Sequence, residues 1–136
     1  MRKNKLLTAF IGFALLATLT QCFTKKKNEG EKLYTANCAS CHMDDGSGLR
    51  GVIPPIAGSD YLVKHRRSLA CLIRHGQAGE ITVNGQKYNQ AMPGVEHLND
   101  GQILNLLNYI QTNFGNKNER YTLVEVKSDL EICPSH

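Results

Sequence analysis

Residues 38–42 read Cys38-Ala39-Ser40-Cys41-His42, and the reading of this pentapeptide decides the rest of the chain. C-x-x-C-H is the attachment sequence of a c-type haem. Two thiols three positions apart on a helix can each add to one vinyl group along the same porphyrin edge. The adjacent His then turns its imidazole toward the iron from one side. The motif therefore predicts one covalent haem c, held by Cys38 and Cys41 and ligated by His42. Other uses of paired cysteines lack their context. A redox C-x-x-C needs a βαβ setting, which the sequence does not offer. A zinc site needs a second ligand pair, and Cys71 and Cys133 are single and far apart.

Upstream of the motif the chain reads as an export signal. Met1 to Lys5 is basic, an apolar run follows from Leu6 to Leu19, and Cys22 comes three residues later. A basic start with a short apolar core is a Sec-type signal peptide, here residues 1–21. The run is too short to span a membrane comfortably. Leu19-Thr20-Gln21-Cys22 resembles a lipobox, in which Cys22 is lipidated and becomes the new N-terminus, although Gln21 departs from the usual small residue. The other reading is an uncleaved signal anchor with Cys22 incidental. Both place the protein on the periplasmic face of a bacterial membrane. Residues 22–30 read as a polar tether.

The remainder is one domain of roughly 100 residues, small enough that a large apolar cofactor at its centre would help to stabilise it. A hydrophobic content of 41% suits a globular chain. The formal charge of +4 falls to +1 once Arg2, Lys3 and Lys5 leave with the signal, which is not the balance of a nucleic-acid binder.

Downstream, the predicted organisation is a domain over 31–116 and an extension over 117–136 packed on it. A helix begins at Glu31 and leads into the motif. Met43 to Gly58 is rich in glycine and proline and reads as a loop. Its Gly46-x-Gly48-x-x-Gly51 has no strand before it and no helix after it, so a dinucleotide fingerprint is rejected. Glycines that let the chain wrap the haem edge explain it better. A second helix, with room for a break, spans about Asp60 to His75, with Leu62, Leu69, Leu72 and Ile73 on its apolar face and Gly76 as its cap. Ile81 and Val83 alternate before Asn84-Gly85, the preferred type I′ dipeptide, which predicts a small hairpin. Asn99-x-x-Gln102 is a capping-box pattern ahead of Ile103, Leu106, Leu107, Ile110 and Phe114 at helical spacing, ended by Gly115. Thr122-x-x-Glu125 opens a short terminal helix with Leu123, Val126, Leu130 and Cys133 on one face.

The second axial position decides what the haem can do. Met43 adjoins His42 and so lies on the proximal side. Met92, within Tyr88-Asn-Gln-Ala-Met92-Pro93-Gly94, sits in a loop where no amphipathic face needs it, and is the candidate sixth ligand. His65, His75, His97 and His136 leave a bis-His site open, and a buried Met92 with no ligand role is the other alternative. Met/His ligation fills both axial positions and raises the reduction potential, as a carrier of single electrons requires.

From about Gly30 to Gly115 these residues resemble class I, mono-haem cytochrome c, of the membrane-tethered lipoprotein type. The resemblance implies an all-α fold of three to five helices around the haem; the small hairpin before the distal Met loop and the extension after Gly115 depart from the most compact members of that family. It implies that Gly30 and Tyr34 pack against Tyr109 of the later helix. Pro54, with Ile56 and Gly58, is similar to the stretch whose proline carbonyl orients the proximal His; Pro55 makes the choice of proline ambiguous, and Pro54 is preferred. The resemblance implies a one-electron carrier, not an enzyme, whose partner is a respiratory oxidoreductase or a dehydrogenase. The rival is a haem subunit of an enzyme, or a gas sensor with a labile sixth ligand. In an exported chain the leftover Cys71 and Cys133 suggest a disulfide, two buried free thiols being the alternative.

Overall fold

The computed structural model describes residues 28–134. The expected signal peptide, Cys22 with its lipid, nearly all of the tether, and His136 lie outside the described residues. Among the described residues no helix is long and apolar enough to cross a membrane.

Helix α1 (Glu29–Asn37) starts two residues before the expected Glu31 because Asn28 caps it, its side chain accepting from the Glu31 N–H at 2.8 Å. Glu29 and Glu31 sit at the positive end of the helix dipole. A single turn, α2 (Ala39–His42), follows. The stretch expected as a helix from Asp60 to His75 is divided into α3 (Tyr61–Lys64), a 3-10 turn (Arg66–Ser68) and α4 (Leu69–His75). Gly76 ends α4 at φ +88°, its N–H donating to the Leu72 carbonyl. The longest helix, α5 (Asp100–Thr112), carries the reciprocal capping box of Asn99 and Gln102. Helix α6 (Leu123–Glu131) is the last described helix and follows the equivalent box of Thr122 and Glu125.

The core forms where α1 crosses α5. Ile103, Leu106 and Leu107 of α5 are fully buried there. The crossing is close because Gly30 has no side chain: a Cβ there would strike the Asn105 carbonyl and come within 2.6 Å of the Tyr109 Cβ. Tyr34 lies between Tyr109 (5.7 Å) and Phe114 (4.8 Å), and the latter two meet edge-on at 5.4 Å. Phe114 was expected as the last apolar position of the helix. Instead α5 stops at Thr112, Asn113 is extended, and Phe114 adopts φ +57°, which folds its ring back onto Tyr34. Gly30→Val is expected to destabilise the holoprotein by about 1–3 kcal/mol, as overpacking does, measured as a lower denaturant midpoint at unchanged haem content.

Two small ladders complete the frame. β2 (Ile81–Val83) and β3 (Gln86–Tyr88) form the expected hairpin, with Asn84 at φ +50° and Gly85 at φ +78° as the type I′ turn needs. The second ladder is absent from the sequence reading. β1 (Gly76–Gln77) pairs antiparallel with β4 (Met92–Pro93), Gln77 opposite Met92.

The extension packs on α4 and α5. Tyr121 is buried; its N–H donates to Asn108 Oδ1 (2.7 Å), its hydroxyl donates to the Arg66 carbonyl (2.6 Å), and the Arg66 guanidinium lies 3.8 Å over its ring. The face of α6 differs from the expected one. Leu123 is exposed, whereas Asp129 is buried with Val126 because Arg67 of the 3-10 turn donates to Asp129 Oδ1 at 2.5 Å. Cys71 and Cys133 form a disulfide across a separation of 62 residues. In the chain-entropy account a loop of that length contributes about 4 kcal/mol. Cys71→Ala/Cys133→Ala is therefore expected to lose roughly that stability in guanidinium unfolding. A loss no greater than that of a neutral surface change would contradict it.

Candidate functional site

One cleft holds the five residues expected to hold, orient or ligate the haem. It encloses about 990 Å³ of atom-free space, its open mouth included, and Cys38, Cys41, His42, Pro54 and Met92 all line it. The rest of its wall is mostly apolar, with Ser59, Gln77 and Gln90 among the exceptions. Leu69, Leu72 and Ile73 come from α4, Ile81 and Val83 from the hairpin, and Leu107 and Ile110 from α5. The alternation at Ile81 and Val83 thus has a use beyond the turn, since the apolar side of the hairpin covers the cleft.

The motif runs from core to surface: Cys38 is buried at 7% exposure and Cys41 is exposed. Burial, with Cys41 adding to it, pushes the Cys38 thiol up to about 11. His42 is buried, and burial lowers its pKa, keeping the imidazole neutral. Its Nδ1 lies 3.1 Å from the Pro54 carbonyl. A carbonyl can only accept, so Nδ1 carries the hydrogen and Nε2 keeps a free lone pair, the form a metal ligand needs. It is Pro54, not Pro55, whose oxygen stands there.

The glycines of the following loop act differently from expectation. Gly46, Gly48 and Gly51 are not among the residues lining the cleft. Gly48, at φ +66°, folds the loop onto itself: a Cβ would lie 2.6 Å from the Pro54 carbonyl oxygen and 2.5 Å from that of Ile53. Its lack of a side chain admits the carbonyl that meets His42. The sequence reading also missed Asn116, which is buried and joins this loop to α5. Its Oδ1 accepts from the Gly58 N–H (2.9 Å) and its Nδ2 donates to the carbonyls of Ile56 (3.1 Å) and Ile110 (3.0 Å). An Asn following Gly115 in a polar stretch reads as an ordinary loop residue, so nothing in the sequence marked it.

The alternative ligands stand elsewhere. Met43 does not line the cleft; it adopts φ +64°, and its carbonyl accepts from the Tyr34 hydroxyl at 2.7 Å. His65, His75 and His97 are exposed and outside the cleft, His65 with its ring stacked 3.9 Å from that of Tyr61. Among the described residues, His42 is the one histidine and Met92 the one methionine on the cleft wall. Met92 itself is half-buried.

The cytochrome c family model matches residues 28–114. The chain belongs to the cytochrome c family. This cytochrome is 40% identical over 91 residues to cytochrome c-552 of Thermus thermophilus, an alignment covering 64% of this chain and 69% of that protein. It is 35% identical over 91 residues to the cytochrome c subunit of the quinone alcohol dehydrogenase of Gluconobacter oxydans, covering 65% of this chain and 19% of the subunit. It is 30% identical over 99 residues to the fructose dehydrogenase cytochrome subunit of Gluconobacter japonicus, covering 67% and 20% respectively. The chain thus spans about two thirds of the first relative and about a fifth of each dehydrogenase subunit. Membership implies covalently bound haem c and electron transfer rather than catalysis. The cleft fits such a group in its apolar lining, its size, and the placing of two sulfurs and a neutral imidazole on its wall.

Proposed function

We propose that this cytochrome is a single-electron carrier in which Cys38 and Cys41 hold haem c by two thioether bonds and His42 and Met92 are the axial ligands. The observation that carries this reading is that one histidine and one methionine share the wall of a single apolar cleft, while the other described histidines and methionine lie outside it. The bound group supplies the one-electron couple of its iron. The chain supplies the rest. Pro54 holds the His42 tautomer and ring direction. The thioether of Met92 favours ferrous iron and raises the potential. The apolar wall excludes water and so makes the charged state costlier. No side chain on this wall needs to donate or remove a proton.

The partner in this reading is a dehydrogenase or a respiratory oxidoreductase, a choice supported by the dehydrogenase cytochrome subunits among its relatives. The N-terminal segment, cleaved and lipidated at Cys22 or retained as an anchor, would hold the carrier at the periplasmic face of a membrane and raise its effective concentration near that partner. Absorption spectroscopy of the purified holoprotein tests the ligand set. A near-infrared sulfur-to-iron band in the oxidised form is expected, with little carbon monoxide uptake by the reduced form. Ready uptake without the band would transfer the assignment to an enzyme subunit or gas sensor with a labile sixth ligand.

A further inference from the structure

At the C-terminal end of α4 two backbone segments meet with no side chain between them. One is the end of α4 with Gly76; the other is the strand carrying Met92. A Cβ on Gly76 would strike the Met92 carbonyl and lie 2.8 Å from the Gly94 nitrogen. A Cβ on Gly94 would lie 2.6 Å from the Arg74 carbonyl oxygen and 2.9 Å from the Gly76 nitrogen. Between these contacts runs the two-residue ladder, Gly76 opposite Pro93 and Gln77 opposite Met92. The Val95 N–H then donates to the Ile73 carbonyl at 2.8 Å and closes the stitch on its far side. Approaching Met92 from the hairpin, Asn89 is exposed, while Gln90 and Ala91 line the cleft beside Met92. Ile73, which accepts from Val95, also lines the cleft.

We propose that Gly76 and Gly94 are positioning residues for Met92: their bare backbones let the distal strand dock on the end of α4, and that docking sets the sulfur at its place in the cleft. The proposal rests on the reading of Met92 as the axial ligand. A methyl group at either position has to part the ladder, because what it meets is backbone and cannot swing away. Parting it moves the strand that carries Met92, while His42, Pro54 and the two cysteines stand on other elements.

The test uses covalently loaded holoprotein, its haem verified by mass, in Gly94→Ala, Gly76→Ala, Gly79→Ala and Met92→Ala forms. Gly79 is the matched control. It shares the positive φ of Gly76, +86° against +88°, yet a Cβ there meets nothing within 4 Å. Gly94 is not at positive φ, so its variant isolates the contact and serves if Gly76→Ala does not fold. Gly94→Ala and Gly76→Ala are expected to weaken or lose the sulfur-to-iron band, lower the potential toward that of Met92→Ala, and raise carbon monoxide affinity of the ferrous form by about tenfold or more. Gly79→Ala is expected to keep the parent's band and potential. Should Gly94→Ala keep both as well, or Gly79→Ala lose them equally, the stitch has no role in ligation. A parent protein without the band, unchanged by Met92→Ala, would overturn the ligand assignment and the proposal together.

Discussion

Replacing Cys38 and Cys41 together with Ala is expected to yield, from cells able to attach haem c, a colourless chain without the added mass and without a cooperative thermal transition. The reason lies in the cleft as much as in the lost bonds. Its wall draws on α4, the hairpin and α5, so the apolar faces of three elements point at one space. Left empty, such a space costs about 24 cal/mol per Å³, or about 3 kcal/mol for the ~130 Å³ enclosed between the walls. The total stability of a small domain is about 5–15 kcal/mol. Taken with the lost covalent tether, that is a large share of so small a total. Mass spectrometry, visible absorbance and far-UV circular dichroism check the result. A colourless variant that still melts cooperatively near the parent temperature would show that the fold closes without its cofactor.

Met92→Ala is expected to leave haem attachment intact and change the redox behaviour. Cys38, Cys41 and His42 belong to the α1–α2 segment, whereas Met92 is reached from the hairpin and α4, so the substitution does not touch the attachment side. With the thioether gone, ferrous iron loses its soft ligand. The potential should fall by on the order of 0.1–0.3 V, within the roughly 0.8 V that axial ligation commands. The near-infrared band should disappear, and the reduced protein should take up carbon monoxide. A potentiometric titration of parent and variant side by side decides the matter. An unchanged potential would assign the sixth position to another residue or to none.

The parts of this fold that were legible in the sequence are those governed by local chemistry. The haem motif, the two capping boxes and the Asn84-Gly85 turn each need only a few adjacent residues. The missed features depend on partners distant in the chain. Asp129 was not expected inside because its burial needs Arg67, 62 residues away. Phe114 was counted into a helix because its spacing fits, but a positive φ carries its ring to Tyr34 instead. The ladder joining Gly76 and Gln77 to Met92 and Pro93 is two residues long on each side, too short to leave an alternation. In the cleft, the five residues singled out line one wall space, whereas Gly48 and Asn116, which hold Pro54 and its loop, looked like ordinary loop residues.

The bond between Cys71 and Cys133 also has a consequence for biogenesis. Cys38, Cys41, Cys71 and Cys133 offer six single pairings, and only Cys71 with Cys133 leaves both Cys38 and Cys41 free for the haem. Statistics favour the wrong choice, since residues three apart encounter each other far more often than residues 62 apart. Maturation of this chain therefore demands an oxidant for the distant couple and a reductant for the near one, acting in the same pool of unfolded molecules. Yield during expression should then follow the thiol buffer and the supply of porphyrin rather than the rate of synthesis.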